Sequence, residues 1–185
     1  MKEEHVTTSS TEATTIQGQP IETSKWYAIY TRSNFEKKVQ EDLSKSKFET
    51  FLPLVKEIRF WSDRKKTILV PLLRSYVFVK LSSPNIQKIL YYPGVIRLVS
   101  FEGKPCEVRE EEIHLLENIV MHGFVAENTA NVGVGDAVRV VRGPLKGWEG
   151  KVETKKGQSR IVFQITSIGQ CISVEARMGD LEKIG

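Results

Sequence analysis

The sequence predicts an α+β fold in two parts, an antiparallel sheet with packed helices over residues 25–122 and a small β-barrel over residues 135–185. Three observations predict it. Trp26-Tyr27-Ala28-Ile29-Tyr30-Thr31 and Tyr76-Val77-Phe78-Val79 are aromatic and β-branched runs, the signature of buried strands. Phe35, Val39 and Leu43, and later Ile113, Leu116 and Val120, recur at helical spacing. Beyond residue 135 short apolar runs are separated by turn signals at Gly143-Pro144, Lys156-Gly157 and Ile168-Gly169, the spacing of an all-β unit.

The elements follow in order. Residues 1–24 are rich in Ser, Thr and Glu and poor in large apolar groups, so a disordered tail is expected. Lys25 opens the first strand, whose aromatic residues on both faces imply burial on both. Ser33-Asn34-Phe35-Glu36 has the form of a capping box and predicts a helix running to about Lys47. Residues 48–62 and 67–81 are β-rich stretches around Asp63-Arg64-Lys65-Lys66, a hairpin with a basic tip. Ser83-Pro84 supplies an N-cap and a first-turn proline, predicting a second helix with Ile86, Ile89 and Leu90 inward, ended by Pro93-Gly94. Val95–Val99 is the next strand, and Glu110-Glu111-Glu112 opens a third helix whose dipole the carboxylates complement. Residues 123–134 lack periodicity and read as a flexible linker, followed by strands at Ala137–Val141, Gly150–Glu153, Arg160–Ile165 and Cys171–Ala176.

Composition narrows the function classes. The formal net charge is +4, yet residues 25–124 carry 17 Lys and Arg against 12 Asp and Glu, a net +5, and residues 133–185 carry 9 against 6, a net +3, so the two parts together are more basic than the whole and the remaining residues are acidic. Cys106 and Cys171 stand far apart outside any CxxC spacing, so neither a zinc site nor a disulfide framework is expected. Glu3 and Glu4 stand where a secretory signal needs positive charge, and no run approaches the ~18 apolar residues of a membrane span. A soluble, cytoplasmic protein is expected. His5, His114 and His122 have no Cys or Ser nucleophile in evident relation to them, and no phosphate loop or metal spacing occurs, so neither catalysis nor a cofactor is expected.

The longest motif is Gly135-Asp136-Ala137-Val138-Arg139-Val140-Val141-Arg142-Gly143-Pro144-Leu145-Lys146-Gly147-Trp148-Glu149-Gly150-Lys151-Val152. Val138 and Val140 alternate as on a strand, and the glycines permit tight turns around a proline-stiffened loop, Gly143, Pro144, Leu145, Lys146 and Gly147. This resembles the KOW motif of elongation factors and ribosomal proteins. The segment from Lys25-Trp26-Tyr27 through Phe35-Glu36, Tyr76-Val77-Phe78-Val79 and Pro93-Gly94-Val95 resembles the N-terminal (NGN) domain of the NusG family.

That resemblance implies a monomeric NGN unit that binds the clamp helices of the RNA polymerase largest subunit and suppresses pausing and termination. It also implies an SH3-like KOW barrel that recruits a small-subunit ribosomal protein or Rho. A site for a coiled-coil tip wants a hydrophobic groove with aromatic anchors. Strand periodicity places Trp26, Ala28 and Tyr30 on one face, and Tyr76 and Phe78 together on one face. In RfaH-like members the matching aromatics line the polymerase pocket, which assigns that role to Tyr30, Tyr76 and Phe78. Arg32 and Lys38 match positions that contact the non-template DNA strand, and Arg64, Lys65 and Lys66 at the hairpin tip are candidate phosphate contacts. Many members have Phe-Pro-Gly-Tyr before the key strand, whereas this chain has Leu73-Arg74-Ser75-Tyr76. The departure resembles a specialised paralogue such as the UpxY-type antiterminators of surface-polysaccharide operons. The alternative is a ribosome-associated or RNA-binding KOW protein, which would need stacking aromatics beyond Trp148 and Phe163 on the barrel.

Overall fold

A computed structural model of the chain describes residues 24–61, 64–82, 85–129, 135–155 and 158–184. The tail expected over residues 1–24 lies outside them, apart from Ser24. The first half contains β1 (Lys25–Thr31), α1 (Glu36–Lys45), β2 (Glu49–Phe51), β3 (Leu54–Phe60), β4 (Lys65–Pro71) and β5 (Tyr76–Leu81). A short 3₁₀ turn (Lys88–Tyr91) follows, then β6 (Val95–Leu98), β7 (Ser100–Phe101), β8 (Lys104–Pro105), β9 (Glu107–Val108) and α2 (Glu110–Met121).

The aromatic run of β1 becomes the middle of a sheet ordered β2-β5-β1-β6, with β9 also pairing β1. Antiparallel register sets Ala28 opposite Phe78 and Ile29 opposite Val77. Period two then gives the sheet two apolar faces. Ile29, Val77, Val79 and Leu81 pack with Val39 and Leu43 of α1 and with Ile89. Trp26, Ala28 and Phe78 join Ile113, Leu116 and Ile119 of α2 in a second cluster. β3 and β4 form a separate two-stranded hairpin outside this sheet.

Three local expectations change. α1 has Phe35 as its N-cap residue and no side-chain capping bond. Glu36 is drawn instead into a tertiary contact, its carboxylate accepting the Ser75 N–H at 2.8 Å. A long-range bond to an otherwise orphaned buried amide outweighs a local cap. The helix expected after Ser83-Pro84 is only the 3₁₀ turn, with Ile89 buried and Leu90 exposed; Ser83 and Pro84 lie outside the described residues. The stretch 67–81 breaks into β4 and β5, so Lys65 and Lys66 are strand residues, paired with Phe60 and Arg59, rather than tip residues.

The second half contains β10 (Ala126–Thr129), β11 (Ala137–Val140), β12 (Glu149–Lys155), β13 (Gln158–Ile165), β14 (Gln170–Glu175) and β15 (Leu181–Lys183). They form one antiparallel sheet ordered β10-β14-β13-β12-β11-β15. The closed barrel expected from the sequence is corrected here, since among the described residues the end strands β10 and β15 do not pair with each other. The segment expected to be a flexible linker contributes β10, whose Ala126–Thr129 lies along Cys171–Val174. Arg160, only 5% exposed, helps fasten that strand: it donates to Ser173 Oγ at 2.7 Å, Ser173 O at 2.9 Å and Val125 O at 3.3 Å.

The two sheets meet. Phe163, Ile165 and Ile172 of the second sheet, and Ile168 of the Thr166–Ile168 turn between β13 and β14, belong to the same apolar cluster as Phe78 and α2.

Candidate partner-binding face

Tyr30, next to last in β1, stands directly opposite Tyr76 of β5 on one side and Arg97 of β6 on the other. This cross-strand row brings the tyrosine rings edge to face, with centroids 5.4 Å apart and planes at 76°. The Arg97 guanidinium lies 5.2 Å from the Tyr30 ring centre, a cation–π arrangement. Burial raises the Tyr76 hydroxyl above its usual pKa. A register irregularity between Tyr30 and Thr31 ends the regular pairing beside the row.

The turn before Tyr76 is unusual. Ser75 has φ of 64°, a left-handed conformation that suits glycine. It is held from both sides, by Glu36 on its N–H and by the Thr31 N–H donating to its carbonyl at 2.8 Å. Ser75→Gly is therefore expected to raise stability by about 0.5–1 kcal/mol, measured as a higher unfolding midpoint in denaturant. A lower midpoint would show that the turn is not strained.

Tyr30 and Tyr76 line a concavity of about 770 Å³, together with Val55, Val70, Leu72 and Arg74. Its far wall comes from the second sheet, where Asn128 donates to the Gln170 side chain at 3.0 Å. Phe78 is placed differently. It has no exposed surface and packs against Phe51 at 6.2 Å, so it is core beneath this face rather than a surface anchor.

The cations are spread over several elements. Arg32 is exposed before α1, its N–H bonded to Gly94 O at 2.9 Å. Lys38 is exposed on α1 and lies 3.6 Å from Asp42 one turn on. Arg64, Lys65 and Lys66 are on the hairpin, which α1 steadies through Lys37 Nζ donating to Leu69 O at 2.8 Å. In the 143–147 loop Gly143 and Gly147 take φ of 79° and 92°, which lets Gly147 N–H close onto Val140 O at 2.7 Å. Leu145 is buried by that closure, while Pro144 and Lys146 stay exposed. The loop borders a second concavity, of about 620 Å³, which also touches His122 and Phe124.

The sequence reading missed the polar junction between the sheets. The sequence points to Glu112 only as a dipole partner, but its side chain is 2% exposed and its Oε1 accepts the Thr166 N–H at 2.8 Å and the Ser167 N–H at 3.3 Å. The Ser167 hydroxyl and the Arg109 guanidinium also bind it. Burial pushes the Glu112 carboxyl up, and the bonds from Ser167 and Arg109 outweigh that, leaving it below the usual carboxylate range. The only hint in the sequence was three consecutive glutamates where one would serve the dipole.

Among the described residues no group of His, Cys, Asp and Glu could hold a metal ion, and no helix is long and apolar enough to cross a membrane. What the geometry offers is surface: a tyrosine-edged concavity, a glycine-bounded loop and a cationic hairpin. Residues 24–117 match the family model described as transcription termination factor nusG. The chain is 26% identical over 176 residues to the transcription termination/antitermination protein NusG of Rickettsia prowazekii, covering 86% of this chain and 90% of that one. It is 25% identical over 183 residues to the protein of that name from Staphylococcus aureus strain Mu50, covering 90% and 99%. A solved structure of Thermotoga maritima NusG, concerned with domain interaction, shares the fold at a TM-score of 0.56 and 24% identity, covering 88% of this chain and 98% of that one. The chain belongs to the NusG family of transcription termination and antitermination factors.

Proposed function

We propose that this chain is a transcription elongation and antitermination factor that docks on RNA polymerase, with residues 25–122 as its polymerase-binding domain and residues 135–185 as a KOW domain. The observation that carries the reading is the concavity beside the Tyr30–Tyr76 pair. The clamp helices of the largest subunit present a protruding coiled coil, and half-buried tyrosines offer large contact area at low entropic cost. Phe78 supports this face from beneath. Arg32, Lys38, Arg64, Lys65 and Lys66 supply phosphate contacts to the non-template DNA strand. The exposed Pro144 and Lys146 of the 143–147 loop recruit a small-subunit ribosomal protein or Rho. Arg74 and Ser75, in place of the common Pro-Gly, favour a specialised UpxY- or RfaH-like factor acting in the cytoplasm as a monomer.

The RNA-binding alternative is less well supported, because Phe163 is 1% exposed and Trp148 is partly buried against the core, which removes stacking faces from the second sheet. In a pull-down of purified polymerase by the full chain, Tyr76→Ala is expected to weaken association by about 2 kcal/mol, roughly 30-fold. Unchanged retention of polymerase by this variant, at wild-type stability, would remove the tyrosine row from the interface.

A further inference from the structure

The β3–β4 hairpin carries large apolar side chains where packing does not ask for them. Phe60 is 77% exposed, Trp61 53%, Ile58 50% and Leu69 49%. Register sorts its residues by face. Ile58 and Phe60 share a face with their partners Thr67 and Lys65, and Lys56 shares it with Leu69. No carboxylate lies at these positions. Glu57 alternates to the other face, where it accepts from Arg59 Nε at 2.9 Å. A folded chain gains nothing from holding these rings in water.

Both aromatics stand beside cations. Lys65 Nζ lies 5.4 Å from the Phe60 ring centre, and the Arg64 guanidinium 5.6 Å from that of Trp61. Each pair sets a flat π surface next to a positive charge. Phe60 and Trp61 are consecutive, so the extended chain directs them to opposite sides of the hairpin end. A nucleotide in an unpaired strand has the complementary build, a flat base to stack on the ring and a phosphate for the neighbouring cation. Paired bases hide their faces in the duplex stack, so a duplex could use only the charge.

From this juxtaposition we propose that the end of the β3–β4 hairpin binds single-stranded DNA by stacking bases on Phe60 and Trp61 while Arg64, Lys65 and Lys66 hold the adjoining phosphates. The choice of DNA rests on the reading above that the chain works at a polymerase, where an unpaired DNA strand is at hand. The interaction is sequence-tolerant, because every base has a face to stack. It deepens the phosphate-contact role of the hairpin by adding selectivity for the unpaired state.

Fluorescence anisotropy of the full chain with a labelled oligothymidine tests this, beside the same strand in duplex form, an oligouridine, and vesicles of phosphatidylglycerol. The single-stranded DNA is expected to bind best. Trp61→Ala and Phe60→Ala are each expected to weaken it about 10-fold. The log–log salt slope is expected near about −2 for three phosphate contacts, and to fall by roughly 1.4 in the Lys65→Gln/Lys66→Gln double variant. Both rings are exposed, so unchanged melting of the alanine variants keeps the comparison clean. Equal or tighter binding to the duplex, the oligouridine or the vesicles, or no loss in either alanine variant, would overturn the proposal. Retention of polymerase by the same variants is read separately. Polymerase bound with no DNA selectivity sinks only this inference, and DNA selectivity without any polymerase association sinks only the proposed function.

Discussion

Phe78→Ala is expected to destabilise the fold by about 3–5 kcal/mol. Phe78 has no exposed surface, sits opposite both Ala28 and Phe51, and belongs to the cluster that runs from the first sheet through α2 into the second. Truncation leaves a cavity in this packing, and the β-strands on either side cannot close over it without shifting register. Against a typical total of about 5–15 kcal/mol, the loss is severe. Thermal melting followed by circular dichroism should show a midpoint lower by about 10 °C. Phe78→Leu keeps most of the volume and should retain both the fold and polymerase association. If Phe78→Leu melts like the wild type yet loses polymerase, the ring is an anchor after all and its burial is relieved on binding.

The second large effect is expected at Glu112. Its carboxylate accepts two backbone N–H groups of the Thr166–Ile168 turn, the Ser167 hydroxyl and the Arg109 guanidinium. Glu112→Ala leaves those partly buried donors without an acceptor, at a cost of about 3 kcal/mol. The junction between the sheets should loosen, so limited proteolysis within residues 123–134 should speed up. The same group sets an acid limit. Its folded pKa lies below the ordinary 4.5, so its contribution is complete above that value and is lost as the pH falls through the folded pKa. The melting midpoint of the wild type should therefore drop more steeply between about pH 5 and about pH 3 than that of Glu112→Gln. Parallel pH profiles would show that the carboxylate is not linked to folding.

How much of this was legible in the sequence differs by element. α2 and the strand around Val138 and Val140 were legible because their apolar periodicity matches the face they bury, and β1, β5 and the strand at Ile161–Ile165 because their nearly continuous apolar runs match burial on both faces. The start of α1 was misjudged because Glu36 has two possible uses, and the choice depends on Ser75, which lies far along the chain. β10 was invisible because Ala126-Glu127-Asn128-Thr129 has no apolar alternation, and its order comes from pairing with β14 and from Arg160. The edge of the concavity was legible as residue types and faces. Tyr30 and Tyr76 do edge a concavity, but period two alone could not separate them from Phe78, which shares their face and is covered. The covering elements, α2 and the second sheet, are set by tertiary packing.

In the proposed function the tyrosine-edged concavity receives a coiled coil of RNA polymerase. A photo-crosslinking residue placed at Tyr30 in the full chain, with a control at exposed Lys45 on α1, tests it in growing cells. A strong adduct with the polymerase largest subunit, mapping to its clamp helices, is expected from position 30 and not from position 45. Adducts confined to ribosomal proteins, or none to polymerase, would contradict it.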